Sequence, residues 1–157
     1  MKQIIRKNTF ETNSSSIHSL VIYKHTDRSL SELDFKIGTY GQYGWDFEKY
    51  YDTYSIIEYL YIAALDATRD DIIEKLKEWL PNCTFTEPKV CSDEYEKWYH
   101  IDGYVDHAYE LPFDQIFESK ETLADLIFEG ELITGNDNSD YDDEYFYPNN
   151  AIKIFCK

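Results

Sequence analysis

The sequence predicts an α+β fold: a single domain over residues 1–157, with a mixed or antiparallel sheet, a helical hairpin and a third helix. Short β-branched apolar runs occur near both ends of the chain, and helical periodicities lie between them. Strands and helices do not alternate in the regular βαβ order of a parallel sheet. A chain of 157 residues is also within the usual size of one domain.

Strands are predicted on both sides of two polar segments. Residues 2–6 and 19–24 are rich in apolar and β-branched side chains, and the polar sequence ETNSSS separates them. Further along the chain, ELITG and AIKIFC have the same character and flank the acidic NDNSDYDDEY. The pattern therefore places both polar segments in connections between strands.

Three helices are predicted from periodicity and end signals. Apolar residues recur at helical spacing in 55–67 and again in 68–80, where Thr68 is available as the N-cap and Pro81 closes the end. These two helices form the predicted helical hairpin. The third helix, in SKETLADLIFEG, has Ser119 as its N-cap and Gly130 as its C-terminal stop.

A β-hairpin is predicted around Asp102 and Gly103. This dipeptide suits a two-residue type I′ turn, because both central positions of that turn need a positive φ. It lies between the alternating sequences KWYHI and YVDHAY. Residues 30–54 contain three glycines and many aromatic side chains without clear periodicity, which indicates an irregular aromatic loop or short strands.

The formal charge of −16 is unevenly distributed along the chain. Residues 1–28 hold five Lys or Arg and two Asp or Glu, a balance of 5 − 2 = +3, so the rest sums to −19. Such a field disfavours direct binding to free DNA and attracts basic surfaces, including the Lys- and Arg-lined grooves that hold nucleic acids. Two interpretations stay open: docking on a basic partner, or acidity that serves solubility alone.

The cysteines and the hydropathy predict a cytoplasmic protein. Cys83, Cys91 and Cys156 are odd in number and widely spaced, which indicates reduced thiols rather than a disulfide framework. The opening MKQIIRKNTF lacks the apolar core of a signal peptide, and no run approaches the ~20 apolar residues of a membrane span. We therefore expect no membrane association.

The opening segment RKNTFETNSSSIHSL carries candidate phosphate-binding chemistry. Successive backbone N–H groups in an Asn/Ser turn can form an anion-binding concavity, to which hydroxyl groups add donors. A histidine beside them can serve as acid or base near neutral pH. The candidate catalytic residues are His18 and Ser15, and the candidate binding residues are Arg6, Asn13, Ser14 and Ser16. The alternative is structural, because Asn and Ser side chains often bond their own backbone in turns.

A second candidate binding segment is the acidic NDNSDYDDEY, which contains Asp137, Asp140, Asp142, Asp143 and Glu144 and no basic residue. An EF-hand is excluded, because the sixth position counted from Asp137 is Asp142, where the loop needs glycine. Counted from Asp140, the sixth position is Tyr145. The segment either imitates a phosphate path for a basic partner or is a solvated loop.

No metal site and no cofactor are predicted. His100 and His107, taken with Cys83 and Cys91, show neither a CxxC nor an HxxxH spacing. The sequence also contains no Walker loop, dinucleotide glycine fingerprint or nucleophile elbow. Common nucleotide enzymes and hydrolases therefore receive no support, and whether the protein is an enzyme stays open.

The sequence IIRKNTFETNSSSIHSLVI resembles the start of a group of small proteins from phages, plasmids and other mobile elements of Gram-positive bacteria, which open with R-x-N-x-F-E-T-N-S-S-S-x-H-S. The residues that fill this pattern are Arg6, Asn8, Phe10, Glu11, Thr12, Asn13, Ser14, Ser15, Ser16, His18 and Ser19. The later LADLIFEGELITGND is similar to the group's recurring C-terminal block, in which an apolar helix leads to a strand and then to Asp137.

Some proteins with this kind of opening look like anti-CRISPR inhibitors of type II effector nucleases, including ones associated with shortening of the guide RNA. The resemblance implies that this chain is a mobile-element-encoded inhibitor in the host bacterial cytoplasm, whose partner is a basic, guide-RNA-loaded type II CRISPR effector. An acidic body suits the basic nucleic-acid channel of such an effector. Two alternatives stay open: a phosphodiester- or nucleotide-acting enzyme that uses the Asn/Ser/His motif, and a non-catalytic phage accessory protein that binds another basic partner.

Overall fold

A four-stranded antiparallel sheet organises the fold, which is α+β as predicted. The computed structural model describes residues 16–136 and 152–156, and its elements are numbered within these ranges. The sheet contains β1 (Ser16–Ile22), β4 (Glu48–Tyr50), β9 (Gly130–Asn136) and β10 (Ile152–Cys156), in the order β10-β1-β9-β4. The strands predicted at 19–24, in ELITG and in AIKIFC are confirmed, and the strand predicted at 2–6 lies outside the described residues.

The register of β1 and β9 assigns their residues to two faces of the sheet. Leu20 lies opposite Leu132, and both belong to the hydrophobic core that the helices cover. Val21 lies opposite Glu131 on the other face. Both of these residues are buried as well. The sheet therefore has little exposed surface at this pair of strands.

The predicted helical hairpin and third helix are both confirmed. The helical hairpin consists of α1 (Thr53–Asp66) and α2 (Asp70–Trp79), and the third helix is α4 (Lys120–Glu129). Asp52 caps α1 by accepting the N–H of Ser55 at 2.8 Å, and Ser119 caps α4 as predicted. A single helical turn, α3 (Phe113–Ile116), precedes α4.

Helix α1 is the centre of the core. Its ten consecutive residues 56–65 are all buried, which is typical of a helix surrounded on every side. It contacts α2 and α4 as well as short strands on its other sides. Glu58 is buried in this helix, and its carboxylate accepts the N–H groups of Tyr40 and Gly41 and the hydroxyl of Tyr43. The helix thus holds the aromatic loop against itself through one carboxylate.

The predicted N-cap at Thr68 is wrong, because this residue ends α1 instead of starting α2. Thr68 has a left-handed φ of 52°. Its N–H donates to the carbonyl of Leu65, and the N–H of Arg69 donates to the carbonyl of Ala64 at 2.8 Å. This pair of hydrogen bonds is the Schellman ending of a helix. Arg69 then occupies the N-cap position of α2 without a capping side chain.

The predicted β-hairpin around Asp102 and Gly103 is also wrong. Strand β7 (Lys97–His100) pairs antiparallel with β6 (Lys89–Ser92), and β8 (Tyr104–Val105) pairs parallel with β3 (Gln42–Tyr43). Glycine is needed at 103 because a Cβ there would lie 2.3 Å from the carbonyl oxygen of Gly41. A close approach of two backbones, and not a turn, explains this residue.

Short strands and a 3₁₀ turn connect the main sheet to the helices. Residues 30–54, predicted as an irregular aromatic loop or short strands, contain a 3₁₀ turn (Leu30–Glu32) and the strands β2 (Lys36–Ile37), β3 and β4. Strand β2 pairs parallel with β5 (Thr84–Phe85). Helix α4 runs into β9 without a loop at Gly130, where a Cβ would lie 2.2 Å from the carbonyl oxygen of Leu126. None of the described helices has the length and apolar character needed to span a bilayer.

Candidate functional site

The candidate site is a two-stranded hairpin. It carries Tyr95, the most exposed large hydrophobic side chain among the described residues, beside a group of carboxylates. It consists of β6, β7 and the connecting residues 93–96, and we call it the exposed hairpin. Ten of its twelve residues, 89–100, are exposed. Because an isolated pair of strands is marginally stable in water, such an element needs an attachment to the rest of the protein.

The tip of the exposed hairpin is a turn closed by its own first residue. Asp93 accepts the backbone N–H groups of Tyr95 at 2.8 Å and of Glu96 at 2.9 Å. These two donors hold the pKa of Asp93 below its ordinary value, so the side chain is ionised. The turn thereby fixes the backbone of Tyr95, whose side chain is 88% exposed.

The base of the exposed hairpin is attached to α2 through Asp70. This carboxylate accepts hydrogen bonds from Lys97 Nζ and from the phenol of Tyr99, both at 2.6 Å. The hydrogen bond from Lys97, followed by that from Tyr99, lowers the pKa of Asp70. Because Asp70 begins α2, these contacts fix the inner face of the hairpin on the helical hairpin.

The outer face and the tip together combine aromatic rings with negative charge. Trp98 lies opposite Cys91 in the strand pairing, on the face opposite that of Tyr99. Asp93, Glu94 and Glu96 place three carboxylates within four residues around the exposed Tyr95. Carboxylates form ion pairs with Lys and Arg, and aromatic faces attract the same cations. The exposed hairpin therefore offers a surface that suits a basic partner.

His18, a predicted catalytic residue, lies in the core. Its ring is 1% exposed, and its Nε2 donates to the carbonyl of Asp106 at 2.9 Å. Since Nε2 carries the proton of the neutral ring, Nδ1 is an acceptor, and the phenol of Tyr59 donates to it at 3.0 Å. Burial lowers the pKa of His18 to about 4, against weaker opposing effects from Asp106. At neutral pH the imidazole is uncharged and joins β1, α1 and the segment after β8.

Of the other predicted site residues, Ser16 lies within the part of the chain that the structure describes. Ser16 is the first residue of β1 and lies opposite Asn136 of β9. The remaining predicted residues lie outside the described ranges, and their roles stay predictions: Arg6, Asn13, Ser14, Ser15, Asp137, Asp140, Asp142, Asp143 and Glu144. The role proposed for His18 also stays a prediction.

Sequence reasoning missed the exposed hairpin as a site. The signal was present, because DEYE places three acids and a tyrosine between KVCS and KWYH, two short runs that both form strands. The Asp-Gly turn signal was stronger, so β7 was predicted to pair with the segment that follows it. In the structure it pairs with β6, which precedes it.

No metal centre is found where the structure can be described. Residues 16–136 and 152–156 contain no group of three or more His, Cys, Asp or Glu side chains that could hold a metal ion. In the same ranges Cys83 is buried and Cys91 is half-buried, and both thiols are free.

Comparisons with known proteins give no family for this chain. No family model, no curated protein and no solved structure matches it. The geometry of the described residues is therefore the basis on which a function is proposed.

Proposed function

We propose that the protein is an acidic inhibitor that docks on a basic nucleic-acid-binding protein, and that the exposed hairpin is its docking element. The partner we propose is a guide-RNA-loaded type II CRISPR effector in the host bacterial cytoplasm. The observation that supports docking most directly is the tip of the hairpin, where Tyr95 is 88% exposed among three carboxylates.

The construction of the hairpin favours binding over a purely solvating role. Aromatic side chains give a large contact area at a low entropic cost, and tyrosine and tryptophan are enriched where interfaces are strongest. Asp93 and Asp70 fix the tip and the base of the hairpin, so the backbone that carries Tyr95 and Trp98 is held in place before a partner binds. An exposed aromatic side chain on a fixed turn, with carboxylates around it, is suited to a groove lined with Lys and Arg.

The alternative of an enzyme that uses His18 gains less support from the described geometry. A general base must reach the proton that it removes, and both nitrogens of this buried imidazole are already engaged within the core. A non-catalytic protein that binds another basic partner remains compatible with the same hairpin.

A binding experiment with a purified, guide-RNA-loaded type II effector tests the proposal. Because the contact is electrostatic, raising the salt from low concentration to about 0.5 M should weaken the association at least about tenfold. Tyr95→Ala should weaken it by about tenfold or more, as expected for an interface anchor. Biolayer interferometry measures both effects, and a denaturing gel of the recovered guide shows whether it has been shortened.

Matched controls separate the hairpin from general effects of charge and aromatic loss. Tyr109 is also strongly exposed but lies outside the hairpin, so Tyr109→Ala should leave the affinity unchanged. Glu94→Lys in the tip should weaken binding much more than Glu118→Lys, although both change the net charge equally. Equal effects within each pair, or an affinity insensitive to salt, would count against docking through this hairpin.

A further inference from the structure

A cleft formed by three separate segments of the chain carries chemistry that the proposed function does not use. It has a volume of about 340 Å³ and lies between residues 23–32, which follow β1, the end of α2 and the first turns of α4. Arg28, Trp79 and Lys120 line it, one from each segment. A cleft of this size is in the range that holds small organic molecules and is larger than a single inorganic ion requires.

Hydrogen bonds fix the segment after β1 on both sides of the cleft. The N–H of Thr26 donates to Oδ1 of Asp125 at 2.8 Å, and Nδ1 of His25 lies 2.6 Å from Oδ2 of the same carboxylate. Asp125 belongs to α4 and is 5% exposed. Beyond the end of α2, the amide of Asn82 donates to the carbonyl of Ser31 at 2.6 Å. The cleft is therefore formed before a ligand enters, which lowers the entropic cost of binding.

Arg28 is held in place but keeps most of its hydrogen-bond donors. Its Nε donates to Glu32 at 3.0 Å, and the central carbon of its guanidinium lies 4.2 Å from the centre of the Phe128 ring. Its two Nη groups have no partner among the residues that the structure describes. A guanidinium with both Nη groups available can donate to two oxygens of one phosphate at once.

The other charged residues of the cleft restrict the kind of anion that fits. Lys120, the first residue of α4, adds a second positive charge and forms no ion pair within the described ranges. The carboxylates of Glu78 and Glu121 also line the cleft. They repel a bare anion, but carboxylates accept hydrogen bonds from the hydroxyl groups of a ribose. The ligand that suits this lining therefore has both a phosphate and a sugar.

Trp79 supplies an aromatic wall. Its ring is half-buried at the end of α2 and packs against Phe117, with the ring centres 6.0 Å apart. The ammonium of Lys75 lies 5.6 Å from the centre of the same ring and brings a further positive charge to this end of α2. Nucleic-acid bases pack favourably against aromatic side chains whatever their sequence. The cleft thus offers a contact for each part of a nucleotide.

We propose that this cleft binds a nucleoside 5′-monophosphate. The phosphate contacts the Nη groups of Arg28, a ribose hydroxyl donates to a carboxylate of the lining, and the base packs against Trp79. The ligand is a free mononucleotide rather than a nucleic acid, because the net charge of −16 repels a polyanion more strongly than a single phosphate. The inference goes beyond the proposed function and does not depend on it, since the exposed hairpin does not line the cleft.

Titration with adenosine 5′-monophosphate, followed in ¹H–¹⁵N spectra, tests the proposal. The indole N–H signal of Trp79 should shift saturably, and that of Trp98 in the exposed hairpin should not. Adenosine and ribose 5-phosphate are the matched probes, and each should bind at least about tenfold more weakly because it lacks one part of the ligand. A 5′-phosphorylated triadenylate should also bind more weakly, because its further phosphates meet the negative field of the protein.

Two variants test the cations of the cleft. Arg28→Gln should weaken the binding of the mononucleotide about tenfold, as expected for the loss of charged hydrogen bonds. Lys120→Gln should weaken it about threefold, because an exposed charge is screened by solvent. Lys24→Gln is the matched control: it removes the same charge, but Lys24 pairs with Glu129 at 3.6 Å, at the other end of α4. Its affinity should equal that of the wild type.

Several outcomes would overturn the nucleotide site. These are the absence of a saturable shift of Trp79, equal affinity for the mononucleotide and adenosine, tighter binding of the triadenylate, and equal losses in Arg28→Gln and Lys24→Gln. If Arg28→Gln does not fold, the comparison of the four probes on the wild type still decides. The effect of Tyr95→Ala on effector binding is measured separately, so the docking proposal and this one can fail independently.

Discussion

His18 illustrates how a residue that looks reactive in a sequence becomes part of the core. It occupies the helix-facing side of β1, where the register places it opposite Thr134 of β9. Tyr59 of α1 and the carbonyl of Asp106 satisfy its two ring nitrogens. A buried imidazole with both nitrogens bonded specifies the packing of three separate segments, because a wrong arrangement would leave polar atoms unpaired.

The depressed pKa of His18 predicts a loss of stability in mild acid. The ordinary value is 6.5 and the folded value is about 4, so the unfolded chain binds the proton first as the pH falls. The free energy of unfolding should therefore be unaffected above about pH 7 and fall by about 3 kcal/mol in total as the pH drops towards 4. Urea unfolding followed by circular dichroism across this range measures the change.

The variant His18→Gln isolates this effect, because its amide can make the same two hydrogen bonds without titrating. Its free energy of unfolding should vary less with pH than that of the wild type, whatever its absolute stability. The difference between the two profiles gives the contribution of His18, because every other titrating group is common to both proteins. A wild-type profile as flat as that of His18→Gln would contradict the assignment.

At the scale of elements, the exposed hairpin depends on one residue of a different element. Asp70 opens α2 and holds Lys97 and Tyr99 of β7. The attachment is exposed to water, so solvent screening leaves it weaker than two charged hydrogen bonds would be in the core. The hairpin should therefore be a locally stabilised unit that opens before the core.

Removal of this attachment should loosen the hairpin alone. In Asp70→Ala, amide hydrogen exchange of residues 89–100 should become about fivefold faster, because the hairpin then opens more often. Asp71→Ala is the matched control, because Asp71 is the next residue and pairs with Arg69 at 2.8 Å instead. Equal acceleration in both variants, or none in Asp70→Ala, would show that Asp70 does not anchor the hairpin.

The elements differ in how far the sequence determines them locally. The helices are predicted well because periodicity and caps such as Ser119 act within a few residues. Thr68 misled the prediction because the same residue type suits an N-cap, whereas here a tight connection forces it into the left-handed ending of α1. Gly103 misled it because the constraint on that residue comes from the backbone of Gly41, a contact that no local pattern records.

The candidate site was predictable in its charge but not in its location. Composition indicates an acidic surface that suits a basic partner, and the carboxylates of Asp93, Glu94 and Glu96 fit that expectation. Their place at the tip of a hairpin depends on the pairing of β6 with β7.

At the scale of the whole molecule, acidic groups outnumber the available counter-charges. The chain has 31 Asp and Glu against 15 Lys and Arg, so 31 − 15 = 16 acids stay without a cation even if every cation forms a pair. Repulsion among them opposes the compact state and is screened by salt. This charge should also keep the protein away from free nucleic acid.

Screening of this repulsion should stabilise the folded protein. We expect the thermal unfolding midpoint to rise by a few degrees when sodium chloride is increased from low concentration to about 0.5 M. The double variant Glu74→Lys with Glu118→Lys, which changes the charge from −16 to −16 + 4 = −12, should show a smaller rise. A midpoint that falls with salt would mean that attractive ion pairs outweigh the repulsion.

The strand order has a consequence for how the protein is made. Strand β1 pairs only with β9 and β10 in the described sheet, and its nearest partner along the chain, Gly130 opposite Ile22, is 130 − 22 = 108 positions away. During translation β1 therefore leaves the ribosome with both edges open, while α1 and α2 can already pack on each other. Closure of the sheet must wait for residues 130–156, which makes the nascent chain a natural client for chaperones that cover open strands.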